Sequence, residues 1–161
     1  MNILTVNLLF STLIFWLGIR IYVWPRLASL DPRAILIPIL LLHSFRHLGL
    51  MFLAPGAVYA GMPRAFAYPA AFGDLLAAVL ALAALAALVQ RRKSAVLLLW
   101  VFNVEGSVDL LDAIVLATVY GAAPFMGAAY WIPAFWVPAL LVTHSLTFVI
   151  LRRYHHGLAT G

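Results

Sequence analysis

Along the chain, long apolar runs alternate with short stretches rich in Pro, Gly and basic residues. The runs extend over about Ile3 to Trp24, Ala34 to Ala54, Pro69 to Gln90, Ala95 to Tyr120 and Trp131 to Leu151. Each approximates the ~20 residues that a helix needs to cross a bilayer. The pattern predicts an all-α fold, a single domain over residues 1–161 built as a polytopic integral membrane bundle of five transmembrane helices. No internal repeat is visible, and an odd helix number argues against paired inverted three-helix halves. The first run has no basic stretch ahead of it, is too long for the core of a signal peptide, and meets positive charge only at Arg20 and Arg26. It reads as a retained anchor.

Composition agrees with the pattern. Hydrophobic residues make up 66% and charged residues 9%, with mean hydropathy +1.07, whereas soluble domains carry about 25% charge. A soluble domain is therefore excluded, and so are a disordered chain and, with no cysteine present, a disulfide-stapled secreted one. The net charge of +5 and pI of about 10.1 would suit a nucleic-acid partner if the basic residues were clustered for it. Instead they collect at span ends, so no nucleic-acid binding is expected.

Arg20, Arg26 and Arg33 surround the first connection, Arg91, Arg92 and Lys93 fill the third, and Arg152 and Arg153 open the C-terminal tail. Basic residues resist translocation, which places these three segments in the cytoplasm, the N-terminus outside and the C-terminus inside. Trp24, Tyr59, Tyr68, Tyr120, Tyr130 and Trp131 lie near span ends, where amphipathic rings favour the headgroup layer. The basic clusters also make membrane lipids expected partners, through anionic headgroups. Nine Arg to one Lys, with abundant Ala, suits the inner membrane of a GC-rich bacterium.

The chemistry is carried by polar residues inside the runs. Of five acidic residues, Asp74, Glu105, Asp109 and Asp112 fall within them, and only Asp31 is in a connection. A charge near the bilayer centre costs at least ~2.5–3.5 kcal/mol on insertion scales, so such groups face the bundle interior, paired or protonated. At about 100° per residue, Glu105, Asp109 and Asp112 lie at roughly 0°, 40° and −20°, one narrow stripe. In HSFRH, α-helical spacing puts His43 and His47 on one face with Arg46 beside them. Measured from span midpoints at 1.5 Å per residue, Glu105, His43 and His144 share a depth of about 3 Å on the cytoplasmic side. Asp109, Arg46 and His47 lie just beyond the centre, with Asp112 farther out.

Four carboxylates against Arg46 leave a formal −3, which protons, protonated histidines or a bound cation must relieve. Each remedy implies a different function. His43, His47 and His144 are candidate metal ligands, for which Zn, Fe or Mn are the suitable divalent ions. The alternative is two neutral imidazoles hydrogen-bonded between helices. Haem would need His144 opposite one histidine of the second helix. Glu105 and Asp109 are candidate proton donor and acceptor.

Arg46, Asp112, Asp74, Trp131 and Trp136 are candidate ligand-binding residues, and Phe135 shares the aromatic wall. Asp74 has a second reading as a residue near the outer start of the third helix, opened by Pro69. Ala77, Ala78 and Ala81 share its face and should admit a close neighbour. Asn103, Ser107 and Thr118 lie opposite the acids and predict interhelical hydrogen bonds. Pro38, Pro133 and Pro138 predict kinks. His155 and His156 read as solvated tail residues.

Together these features suggest a membrane protein that binds a hydrophobic or amphipathic small molecule and performs acid/base or metal-assisted chemistry on it. A proton- or cation-coupled carrier and a non-catalytic subunit with structural buried charges are the alternatives.

Overall fold

The computed structural model describes residues 3–159, with side chains through position 154. Among the described residues the fold is all-helical, and five α-helices account for most of it: α1 (Ile3–Gly18), α2 (Pro32–Ser44), α3 (Arg64–Val89), α4 (Ala95–Val119) and α5 (Val137–Ala159). Short helical turns of other pitch extend three of the apolar runs. After α1, a π-helical turn over Ile19–Val23 and a 3-10 turn over Trp24–Arg26 carry the run onward. Behind α2 comes a nine-residue 3-10 helix, Phe45–Leu53. Ahead of α5 stands a π-helical turn, Ile132–Trp136.

Four of these segments, Ile3–Arg26, Pro32–Leu53, Arg64–Val89 and Gly127–Tyr154, are long and apolar enough to cross a membrane. α4 has similar length, 25 residues, but carries Glu105, Asp109 and Asp112 in its sequence.

Local signals explain the boundaries. Asp31 caps α2, its carboxylate accepting from the Arg33 backbone N–H at 2.9 Å, and Pro32 follows in the first turn. At α3 the expectation from Pro69 fails. The helix starts at Arg64, and Pro69 sits inside it. A proline this close to a helix start costs one backbone hydrogen bond without ending the helix. Asp74 is therefore ten residues into α3 rather than near its mouth. Pro38 is likewise accommodated within α2. Pro133 lies in the π-helical turn, and Pro138 is the second residue of α5. α5 also runs beyond the expected end at Leu151, so the backbone at His155 and His156 is helical; their side chains lie outside the described residues.

Two apolar clusters sandwich a polar layer. One gathers Leu36 and Leu40 of α2, Ala84 and Leu88 of α3, Leu99 of α4 and Ile150 of α5. The other gathers Phe52, Phe66, Ala70, Leu110, Ile132 and Leu140. Between them along each helix lie the buried polar residues His43, Arg46, Asp74, Asn103 and His144. α3 occupies the middle of the bundle, with Ala77, Ala78, Ala81, Ala84 and Ala87 all buried, as small side chains at helix interfaces allow. α1 has no buried residue and lies along α5. The α2–α3 and α4–α5 connections are laced by Tyr59 N–H to Phe125 O (2.9 Å) and Ala129 N–H to Ala57 O (3.1 Å). Gly127, at φ +48°, permits that approach.

Candidate functional site

The centre of the polar layer is Arg46, at 1% exposure the largest of the fully buried side chains. Its place follows from a change of helical pitch. From Phe45 onward the backbone winds at three residues per turn, so positions three apart eclipse. His43, Arg46, Gly49 and Phe52 accordingly form one buried column. His47, which α-helical spacing puts beside His43, is turned out of the bundle: it is exposed, and its Nδ1 donates to Ser44 O at 2.9 Å.

The Arg46 guanidinium reaches three other helices. Nε donates to Asp74 Oδ1 on α3 at 2.7 Å, and a second ion pair joins an Nη to Asp109 on α4. The other Nη donates to Gly106 O at 3.1 Å and to His144 Nε2 on α5 at 3.3 Å. The tautomer of His144 is fixed from its far side. Its Nδ1 lies 2.7 Å from Asn103 Oδ1, an acceptor, so Nδ1 carries the proton and Nε2 presents its lone pair to Arg46. Asn103 Nδ2 also donates to His144 O. Ser107 and Thr118, expected to bond across helices, instead bond back to Asn103 O and Ile114 O of their own helix.

His43 is fully buried, its ring 4.2 Å from that of His144 and edge-on to Phe102. Thr143 Oγ1 donates to carbonyls of its own helix, so it accepts from His43 Nε2–H at 2.9 Å. The lone pair of His43 Nδ1 has no hydrogen-bond partner among the described residues.

Three helical glycines make room for this packing. A Cβ at Gly49 would overlap Asp74, one at Gly73 would overlap Asp109, and one at Gly106 would lie 2.7 Å from both Arg46 and the His144 ring. Asn103 makes the interhelical hydrogen bonds expected of it, whereas Gly106 and Thr143 are the site residues that sequence reasoning missed. The available signal was a glycine on the buried face of a helix beside charged neighbours.

The acidic stripe of α4 exists but is off-centre. Phe102, Asn103, Gly106 and Leu110 define the buried face of that helix, about 100° around from the mean direction of the acids. Asp109, nearest to it, reaches Arg46. Glu105 is half-buried, with Oε2 shielded and unpartnered among the described residues. Asp112 is exposed and forms no ion pair with Arg46.

His43 and His144 are thus brought together without His47, and no group of three or more His, Asp or Glu among the described residues is placed to hold a metal ion. His47→Ala and Asp112→Asn are each expected to leave stability within about 0.5 kcal/mol of the parent, as thermal unfolding in detergent would show.

Beside the ion pairs lies a cavity of about 230 Å³, with Asp74 in its wall. Leu4 and Leu8 of α1, Ala70 of α3, Ala113 and Ala117 of α4 and Val137 of α5 are among the apolar residues that line it. The aromatic side chains expected to line a pocket stand outside it. Trp131 and Trp136 pack edge-to-face on each other, Phe135 packs on Phe15, and Ile132 and Pro133 face the cavity in their place.

A family model described as a domain of unknown function (DUF8737) matches residues 3–152. The chain belongs to the DUF8737 family. The matched segment of this DUF8737 protein contains Arg46, all its buried partners and the cavity wall. No curated protein and no solved structure matches the chain.

Proposed function

We propose that this DUF8737 protein crosses a cytoplasmic-type membrane five times, N-terminus outside and C-terminus inside, and binds a small hydrophobic or amphipathic molecule in the 230 Å³ cavity, exchanging a proton with it. The carrying observation is that Asp74 belongs to both places: it is part of the cavity wall and is ion-paired to Arg46. A carboxylate held by a buried guanidinium and open to an apolar chamber can accept or return a proton where bulk water does not compete.

Arg46 balances one of the two carboxylates that it binds. The remaining charge, at Asp74 or Asp109, is left to a proton or to a cationic group of the ligand. Asp109 acts as the second member of the pair, and Glu105 supplies protons from the half-exposed flank. The cavity lies somewhat below the ~300–1,000 Å³ of drug-sized sites, so its occupant is a compact molecule or the end of a longer one. Placing α4 across the membrane is supported by its length and by its packing against α3 and α5.

A second reading, that the charges only fix helix register, is favoured by the way Arg46 ties the 3-10 helix after α2 to three other helices. The two readings separate at Ala117, which lines the cavity without touching the charges. Ala117→Phe should fill the chamber, and mass spectrometry of organic extracts from purified protein should then lose a compound that the parent and Asp112→Asn retain. Identical extracts from all three would leave the register role.

A further inference from the structure

A concavity of about 750 Å³, separate from the polar layer, lies on the lateral surface between α1 and α5. Its sides are apolar, formed by Leu9, Leu13 and Trp16 of the first segment and Leu141, Val142 and Leu146 of the last. Toward one end the character changes abruptly. Arg20 and Trp24 line the groove there, and Arg153 reaches the same indole from α5, the two guanidinium carbons standing 5.8 and 5.5 Å from its ring centroid. Cation–π contact with one ring holds both cations beside the groove. Both arginines are exposed, and among the described residues neither has a carboxylate within ion-pair distance. Arg20 also sits in the π-helical turn, a local widening frequent at functional sites.

We infer that this groove is a binding site for an anionic phospholipid, one acyl chain lying between α1 and α5 and the phosphate bridging Arg20 and Arg153. The occupant must be apolar for the length of the groove and anionic at its end. Guanidinium groups match phosphate oxygens in planar, two-point contacts, and basic residues at helix ends draw anionic headgroups.

A second copy of the chain satisfies those demands poorly. Two of its acids are bound to Arg46, Asp31 caps α2, and Glu105 and Asp112 lie mid-helix, so no apolar segment ends in a free acid. The site is independent of the cavity beside Asp74.

The test is native mass spectrometry of the full chain, delipidated in detergent and titrated with phosphatidylglycerol or phosphatidylcholine. Phosphatidylglycerol should bind more tightly by on the order of tenfold, and R20Q/R153Q should erase that preference. R91Q/R92Q, which removes two equally basic residues elsewhere, should retain it. Ser145 lines the groove, so S145F should weaken binding of the lipid while leaving both arginines in place.

Equal affinity for the two lipids, an equal loss in R91Q/R92Q, full displacement by inorganic phosphate, or unchanged binding by S145F would each overturn the inference. So would dimerisation through this face with no lipid bound. If R20Q/R153Q does not fold, S145F decides alone.

Discussion

Replacing Arg46 by Met is expected to cost roughly 3–5 kcal/mol, enough to prevent stable assembly, because it strands two carboxylates in the interior of the bundle. The magnitude comes from what is left behind more than from what is removed. Asp74 and Asp109 retain 11% and 13% side-chain exposure and lose the only cation that pairs with either among the described residues. Gly106 O and His144 Nε2 lose their donor as well. Unfolding in graded denaturant, in detergent micelles, would measure the loss.

A triple variant separates charge from shape: R46M/D74L/D109L should recover most of the deficit, since apolar replacement of a whole buried ion cluster is often neutral or stabilising by about 1–4 kcal/mol. It should nevertheless lose the cavity chemistry. If R46M alone folds as well as the parent, the guanidinium does not hold these helices together.

The second large effect is expected from a single methyl group. A Cβ at Gly106 lies 2.7 Å from Arg46 Nη1 and from the His144 ring. The ring is pinned on its far side by Asn103 and packed at 4.2 Å against the His43 ring, so it cannot withdraw cheaply. G106A is expected to destabilise by about 2–3 kcal/mol, at the upper end for overpacking. Gly18 is the matched control, because a Cβ there meets nothing within 4 Å. G18A should be neutral or slightly stabilising, by up to about 1 kcal/mol, as alanine is the better helix former. Thermal unfolding of the pair reads the difference, and equal melting temperatures would mean that the contact at Gly106 is slack.

Sequence alone disclosed the all-helical class and four of the five expected spanning runs, because spanning length and apolar content are properties of a run and survive changes of helical pitch. The ends of α4 fell within a residue of their expected places, and the small-residue face of α3 was legible from Ala77, Ala78 and Ala81. The meeting of Arg46, Asp109 and His144 was also anticipated, since charges within a span must find one another.

What failed was angular. α-Helical spacing misplaces His47 because the pitch change after Ser44 leaves no mark in composition, and a 3-10 segment buries every third residue where an α-helix buries every third or fourth. Asp112 was misassigned because periodicity shows that three acids share a face but not how that face sits relative to the core. Asp74 lies deeper than Pro69 suggests, because a proline can be absorbed in the second turn of a helix as well as open one.

The arrangement around Arg46 also bears on how the protein is made. Its partners Asp74 and Asp109 follow it by 28 and 63 residues along the chain. At ~5–20 residues per second, the ribosome needs roughly 3–13 s after making Arg46 to deliver Asp109. Until Asp74 is made, 28 residues on, the second segment carries an uncompensated cation, which disfavours its early release into lipid. Its settling place is set by helices that do not yet exist, so insertion of this bundle is a delayed, collective event rather than a helix-by-helix one.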